Sequence, residues 1–317
     1  MVERFQILSM DGGGVKGLFS AAVLAKLEED LGIRLADHFD LIAGTSTGGI
    51  IALGLGAGLS PAEIVDFYVK EGPKIFAQHP ASWLQHLVFR KFGSAELEAA
   101  LKRCFGEKRL GDSTKRLVIP SYNLDTEQVY VCKTPHHERL RRDYKAYMWQ
   151  VAMATAAAPT YLPGFNGLDG ARLIDGGVWA NNPSIVAITE ACSMLGVPLS
   201  SIRMLSLGTT YDVTNHPFYL DWGGQLLWAR SAAGIIMRAQ SEGANGQAQH
   251  LIGTDCFVRV NPVVPKGLFA LDRLNLDKLM GWAADVSRKS APAVHRLIEG
   301  HDAPEFVAQR KLEEVRQ

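Results

Sequence analysis

Two apolar runs, residues 39–43 and residues 49–59, are joined by Gly44-Thr45-Ser46-Thr47-Gly48. A strand that turns at once into a helix needs a sharp, strained bend, and glycines on both sides of a serine let the backbone close without a Cβ clash. Such a bend lifts the Ser46 hydroxyl into the open. The three-position pattern turns up by chance about 0.2 times in a chain of this length, so the surrounding sequence has to carry the reading.

Residues 5–9 are short and apolar, a buried strand, and Asp11-Gly12-Gly13-Gly14-Val15-Lys16-Gly17 follows directly. Val15, Leu18, Phe19, Ala22, Val23, Leu27 and Leu31 then recur at the helical period, and Gly32 stands where a C-terminal cap belongs. Residues 37–43 begin a second strand that runs into the serine bend. Strand, helix, strand is a crossover unit, nearly always right-handed with parallel strands. The glycine loop and Ser46 therefore share the C-terminal edge of one sheet, where open α/β sheets hold their ligands.

Three glycines opening a helix supply free backbone N–H groups, which suit a phosphate or the oxyanion of an ester under attack. Gly12-x-Gly14-x-x-Gly17 fits the dinucleotide fingerprint, yet that site needs an acidic residue at the end of the second strand. Here Asp37 and Asp40 precede the strand, and the serine bend occupies its end. A P-loop fails as well, because Leu18 follows Gly17 where a Lys-Ser or Lys-Thr pair is required. An oxyanion hole is the preferred reading, with phosphate binding and a plain tight turn as alternatives.

At 317 residues and 47% hydrophobic, the chain can bury a large core, and no linker-like stretch divides it. Lysine plus arginine equals aspartate plus glutamate at 33 each, which removes the global basic bias of a DNA- or RNA-polymer binder. Cys104, Cys132, Cys192 and Cys256 form no Cys-x-x-Cys pair, so a disulfide frame and a zinc site are both disfavoured. Glu3, Arg4 and Gln6 interrupt any signal-peptide core, and no apolar run is long enough to span a bilayer. A cytoplasmic protein is expected.

Further along, Ser60-Pro61-Ala62-Glu63 is a capping box that starts a helix toward Lys70. Residues 83–92 and 95–104 read as helical, and residues 117–123 and 128–133 as a hairpin. Lys133, His136, His137, Arg139, Arg141, Arg142 and Lys145 crowd one stretch, either a solvated face or a contact for an anionic ligand. Residues 147–158 form an alanine-rich helix, small enough in section to pack close to the sheet. Residues 172–174 are a short strand ending in Asp175-Gly176-Gly177; were it parallel in the sheet, Asp175 and Ser46 could meet. Asn181-Asn182-Pro183-Ser184 opens another helix, and residues 202–207 and 256–260 are strands. Aromatic and aliphatic residues within 215–250 suit a lid, a membrane contact or core, and residues 271–317 are mainly helical.

Asp11-Gly12-Gly13-Gly14-Val15-Lys16-Gly17, Gly44-Thr45-Ser46-Thr47-Gly48, and Asp175-Gly176-Gly177 with Asn181-Asn182-Pro183 together resemble the patatin-like phospholipase family. The resemblance implies a single three-layer α/β/α domain over residues 1–317, with a mainly parallel central sheet and a nucleophile elbow. Its motifs lie within 5–208, and residues 209–317 are its mostly helical completion. It implies lipid acyl hydrolysis by Ser46 as nucleophile and Asp175 as base, with the Gly12, Gly13 and Gly14 amides as oxyanion hole. Gly44, Gly48, Gly176, Gly177 and Lys16 support the motifs, and no cofactor or metal is implied. Gly72-Pro73-Lys74-Ile75-Phe76 and Lys133-Thr134-Pro135-His136-His137 are similar to bacterial CapV-type phospholipases, anti-phage defence effectors switched on by a cyclic dinucleotide. That resemblance implies a membrane phospholipid substrate met at the inner membrane surface and a cyclic dinucleotide activator, for which Arg141 and Arg142 are candidate contacts. The oligomeric state stays open, a dimer included. Rival readings are an unregulated patatin-like lipase, a serine triad using His216, His250 or His295, and a non-catalytic nucleotide-binding module built on the glycine loop.

Overall fold

The computed structural model describes residues 4–75, 94–210, 221–222, 224–263 and 276–311. Among the described residues eight strands form one sheet in the order β5-β6-β3-β2-β1-β7-β8, with β4 paired to β3. They are β1 (Phe5–Met10), β2 (Leu41–Gly44), β3 (Arg116–Asn123), β4 (Gln128–Lys133), β5 (Phe165–Leu168), β6 (Ala171–Asp175), β7 (Ile202–Leu207) and β8 (Phe257–Val260). The helices are α1 (Gly17–Leu31), α2 (Thr47–Gly56), α3 (Pro61–Ile75), α4 (Ala95–Phe105), α5 (Met148–Ala156), the short α6 (Gly177–Ala180), α7 (Ser184–Ser193), α8 (Gln225–Ile252) and α9 (Leu276–Ile298).

Side chains alternate across the pleat and so divide the core into two slabs. Leu8, Met10, Ile42, Leu117, Ile119 and Leu205 pack with α1 to α5 and α9. Ile7, Leu41, Ala43, Val118, Ile202 and Met204 face the other way, onto α7 and the C-terminal end of α8. Helix, sheet and helix make the expected three layers. The sheet is mixed: β1, β2, β3, β7 and β8 run parallel, while β4, β5 and β6 pair antiparallel.

Most expected elements are present, with shifted bounds. The second strand is shorter than residues 37–43, because a 3-10 turn over Leu35–His38 precedes it. The capping box forms as read: Ser60 N donates to Glu63 Oε2 at 2.8 Å and Glu63 N to Ser60 Oγ at 3.2 Å. The final helix ends at Ile298, and 299–311 continue without helix, held where the His301 ring meets Asp40 at 2.7 Å. The helix read over 83–92 and Phe76 lie outside the described residues, as do His216, Phe218 and Tyr219. Among the described residues no helix is long and apolar enough to cross a membrane.

The direction of β6 differs from the parallel placement considered from sequence. Val118 pairs with Ala43 of β2 and with Lys133 of β4, so those strands flank opposite edges of β3. Residues 121–123 of β3 pair with both β4 and β6, so β6 lies on the same edge as β2. Running antiparallel to β3, β6 ends at Asp175 opposite Ser121, while β2 rises parallel to β3 and ends at Gly44. The two strands thus point their C-terminal ends at each other along one edge of β3. Head-on ends bring Ser46 and Asp175 together without a parallel β6.

Candidate active site

Ser46 has φ 55° and ψ −122°, a backbone region that only glycine enters without strain. Several contacts force it. A Cβ on Gly44 would run into the backbone of Gly48, and one on Gly48 into the Met10 carbonyl, so the elbow is pressed against the end of β1. Ser46 N donates to Thr155 Oγ1 at 3.0 Å, and that hydroxyl donates to Pro120 O at 2.6 Å, tying the elbow to α5 and β3. Thr45 Oγ1 donates to Ala180 O at 2.6 Å, tying it also to α6.

Asp175 is held from the same side. Its N–H donates to Ala157 O at 3.0 Å, just past α5, and its Oδ1 accepts from Gly177 N at 2.7 Å. Only 4% exposed, its carboxyl is pushed up to about 6 by burial, partly offset by the Ser46 hydroxyl within hydrogen-bonding reach and by the Gly177 amide. A carboxyl poised near neutrality beside a serine hydroxyl can take up that hydroxyl's proton. Of the triad histidines, His250 and His295 are exposed on α8 and α9.

The glycine loop folds over the elbow. A methyl group built on Gly12 would lie 3.1 Å from Ser46 Cβ. Gly12 N is already engaged, donating to Asn181 O at 2.9 Å, whereas Gly13 and Gly14 amides have no partner among the described residues. Of the three amides expected to face an oxyanion, Gly12 N is thus the one engaged within the described residues. Gly14 adopts φ 59°, and Thr209 fills the place of a Gly13 Cβ while its Oγ1 donates to Gly12 O at 3.2 Å. Lys16 lies in the following 3-10 turn, Gly14–Lys16. Asp11, at the root of the loop, is clamped by Arg259, whose Nη1 and Nη2 reach its two oxygens at 2.9 and 2.5 Å. Sequence reasoning passed over Thr155 and Arg259; an arginine inside the apolar strand β8 was the available signal for the second.

The basic stretch does not act as one patch. Lys133 and His136 turn inward to Glu190, His136 Nε2 lying 2.9 Å from Glu190 Oε1, and burial lowers the His136 pKa. Arg142 bonds Asp143 and stacks 4.6 Å over the Tyr130 ring. Tyr130, Arg141, Arg142, Lys145, Gln150 and Asp169 line a cavity of about 370 Å³. Within 215–250, Trp222, Trp228 and Ile236 are exposed, while Gln240 and Ser241 of α8 bond Asn181.

A family model described as patatin-like phospholipase matches residues 8–188. A cGAMP-activated phospholipase of Pseudomonas aeruginosa (strain BWHPSA011 / Pa011) is 32% identical over 288 residues, 87% of this chain and 84% of the relative. A cGAMP-activated phospholipase of Vibrio cholerae serotype O1 (strain ATCC 39315 / El Tor Inaba N16961) is 34% identical over 232 residues, 65% of this chain and 64% of the relative. Among solved structures, VipD from Legionella pneumophila superposes with a TM-score of 0.51 at 11% identity, covering 94% of this chain and 67% of that one, a likeness of fold.

Proposed function

Because this chain belongs to the patatin-like phospholipase family, we propose that Ser46 and Asp175 are its catalytic dyad, cleaving fatty-acyl esters of membrane phospholipids. The observation that carries this reading is the Ser46 hydroxyl within reach of a buried carboxyl poised at about 6, beside two loop amides without a partner among the described residues. Asp175 has only to accept the proton as Ser46 Oγ bonds to the acyl carbon, while the Gly13 and Gly14 amides stabilise the charge gathering on the carbonyl oxygen. Collapse expels the lysolipid oxygen, which takes the proton from Asp175. Water then attacks the acyl-serine by the same route, giving its proton to Asp175 and releasing the fatty acid.

The relatives named cGAMP-activated support a regulated form of this reading: a cyclic dinucleotide switches the enzyme on, as an effector of anti-phage defence acting at the inner membrane surface. The cavity beside Arg141, Arg142 and Lys145 offers cations for two phosphates and the Tyr130 ring for stacking. Its walls lead to the dyad. Gln150 stands on α5, whose Thr155 holds Ser46, and Asp169 joins β5 to β6, which ends at Asp175. A ligand that binds better when those elements take their reactive arrangement shifts the population toward it.

The test is phospholipid hydrolysis with and without a panel of cyclic dinucleotides, in wild type, Ser46→Ala and the Arg141→Ala/Arg142→Ala double variant. Low basal release rising steeply at micromolar ligand is expected, with a shifted midpoint in the double variant. Equal rates with and without ligand leave an unregulated lipase. Activation with an unmoved midpoint removes only the proposed cavity.

A further inference from the structure

Asn181 enters no step above, although it adjoins both halves of the dyad. It follows α6, one short helix beyond Asp175, and is 8% exposed. Three of its four polar groups are engaged. The backbone O accepts from Gly12 N at 2.9 Å, the backbone N–H donates to Gln240 Oε1 at 3.0 Å, and Nδ2 donates to Ser241 Oγ at 2.9 Å. The side-chain oxygen Oδ1 is buried and has no donor among the described residues.

Where that oxygen lies is informative. A methyl group on Gly12 would sit 2.6 Å from Asn181 Oδ1 and 3.1 Å from Ser46 Cβ. One on Gly177 would sit 3.2 Å from Asn181 Oδ1 and 3.1 Å from Asp175 Oδ1. Oδ1 therefore borders the same tight region as the nucleophile and the base, where two glycines let it approach both closely. A buried acceptor without a donor costs free energy and is normally avoided in a folded core. Ser46 and Asp175 are themselves nearly covered, at 8% and 4% exposed, so Oδ1 shares their enclosed surroundings.

We infer that Asn181 positions the hydrolytic water, its Oδ1 accepting one O–H while Asp175 accepts the other. This rests on the Ser46–Asp175 dyad. After lysolipid leaves, the water oxygen bonds to the acyl carbon of acyl-Ser46 and loses its second proton to Asp175. The carbonyl electron pair moves to the oxygen held by the Gly13 and Gly14 amides. Collapse breaks the bond to Ser46 Oγ, which regains the proton from Asp175, and the free fatty acid departs with its proton from water. Acylation uses no water, so Asn181 Oδ1 serves the second half of the cycle and not the first. A carboxylate base alone fixes only one of the water's two hydrogens; a second acceptor fixes its lone pair toward the acyl carbon.

Asn181→Ala keeps both backbone bonds and removes the oxygen, together with the Nδ2 bond to Ser241 Oγ. With cGAMP added, wild type and variant are compared by fluorophosphonate labelling of Ser46, by the burst and steady state of p-nitrophenyl butyrate cleavage, and by intact mass. In the variant, labelling and burst rates within about threefold of wild type are expected, with steady-state turnover down roughly 30-fold or more. An added butyryl mass on the protein and faster turnover with hydroxylamine, which attacks without that placement, complete the expected result. Turnover within about threefold of wild type overturns the inference, and so does labelling that falls in step with turnover, the mark of a structural role. Absence of label on Ser46 in wild type that turns over the ester overturns the dyad and the water-positioning role with it.

Discussion

The chain carries two Asp-Gly-Gly turns at one edge of its sheet, Asp11-Gly12-Gly13 after β1 and Asp175-Gly176-Gly177 closing β6, and they do opposite things with their carboxylates. Each aspartate is 4% exposed, and burial raises the pKa of each. Asp11 faces a guanidinium that grips both oxygens and is itself bonded to Ser206 Oγ at 2.8 Å. Asp175 has a serine hydroxyl and one amide, neither charged. A compensating cation makes a strut out of a carboxylate; its absence leaves one able to trade a proton near neutral pH. What separates scaffold from proposed base is thus the partner, and the motif is the same.

The sharpest way to break this contrast is to disable each carboxylate's function. Asp175→Asn keeps shape and hydrogen-bonding size but removes the proton acceptor, so esterase activity should fall by roughly 10⁴, as it should in Ser46→Ala. The double variant should lose almost nothing further, because the pair acts as one unit. Multiplicative losses in a p-nitrophenyl ester assay would assign the residues separate roles.

Arg259→Met should do something different in kind. It strands the Asp11 charge in the core, for a loss of about 3–5 kcal/mol of stability, measured by denaturant unfolding. Adding Asp11→Asn should restore much of it, since the stranded charge goes. If Arg259→Met unfolds at the wild-type midpoint, the clamp is not what holds the loop root.

How far these turns could be read beforehand depends on the distance over which each is completed. Ser46, Asp175 and the glycine loop were legible, because a tight turn demands glycine within a few residues of the group it presents. Thr155 lies 109 positions from Ser46, and Arg259 lies 248 from Asp11; an alanine-rich helix and an apolar strand hid both. Charge density in residues 133–145 said nothing about direction, and Glu190 draws Lys133 and His136 inward. The direction of β6 against β3 was not legible: Asp169-Gly170, with φ 49° and 72°, is a two-residue hairpin turn that sets β6 antiparallel to β5 and leaves its direction in the rest of the sheet open.

A smaller effect separates the two carboxylates by pH. For Asp175 the folded value is about 6 against 3.8 for the free group. Between those values the folded protein holds a proton that the unfolded chain has lost, so stability falls as pH rises through the window, by about 3 kcal/mol in full. Asp175→Asn removes the titration. It should be more stable than wild type at pH 7.5, by up to about 3 kcal/mol, and match it near pH 3. Activity in the wild type should rise with pH through an apparent pKa near 6. Equal stability of the two proteins at both pH values would mean that Asp175 is better solvated than its burial implies.

The smallest effect concerns how each turn pays for its backbone. The glycine loop places Gly14 at φ 59°, where a Cβ would meet no neighbour within 4 Å, so glycine there answers a conformational demand alone. The elbow makes a similar demand at φ 55° and fills it with Ser46, whose side chain the proposed chemistry cannot spare. Strain of this sort costs on the order of 1–3 kcal/mol and stays only where its surroundings enforce it. Ser46→Gly should therefore exceed Ser46→Ala in stability by about 1 kcal/mol, even though glycine elsewhere loses stability by freeing the unfolded chain. Both variants lack the hydroxyl, so its lost contact with Asp175 cancels in the comparison and only the backbone remains. Thermal unfolding of the pair reads the difference directly: an alanine variant as stable as the glycine variant would show an elbow relaxed at position 46, with the serine held by contacts and not by strain.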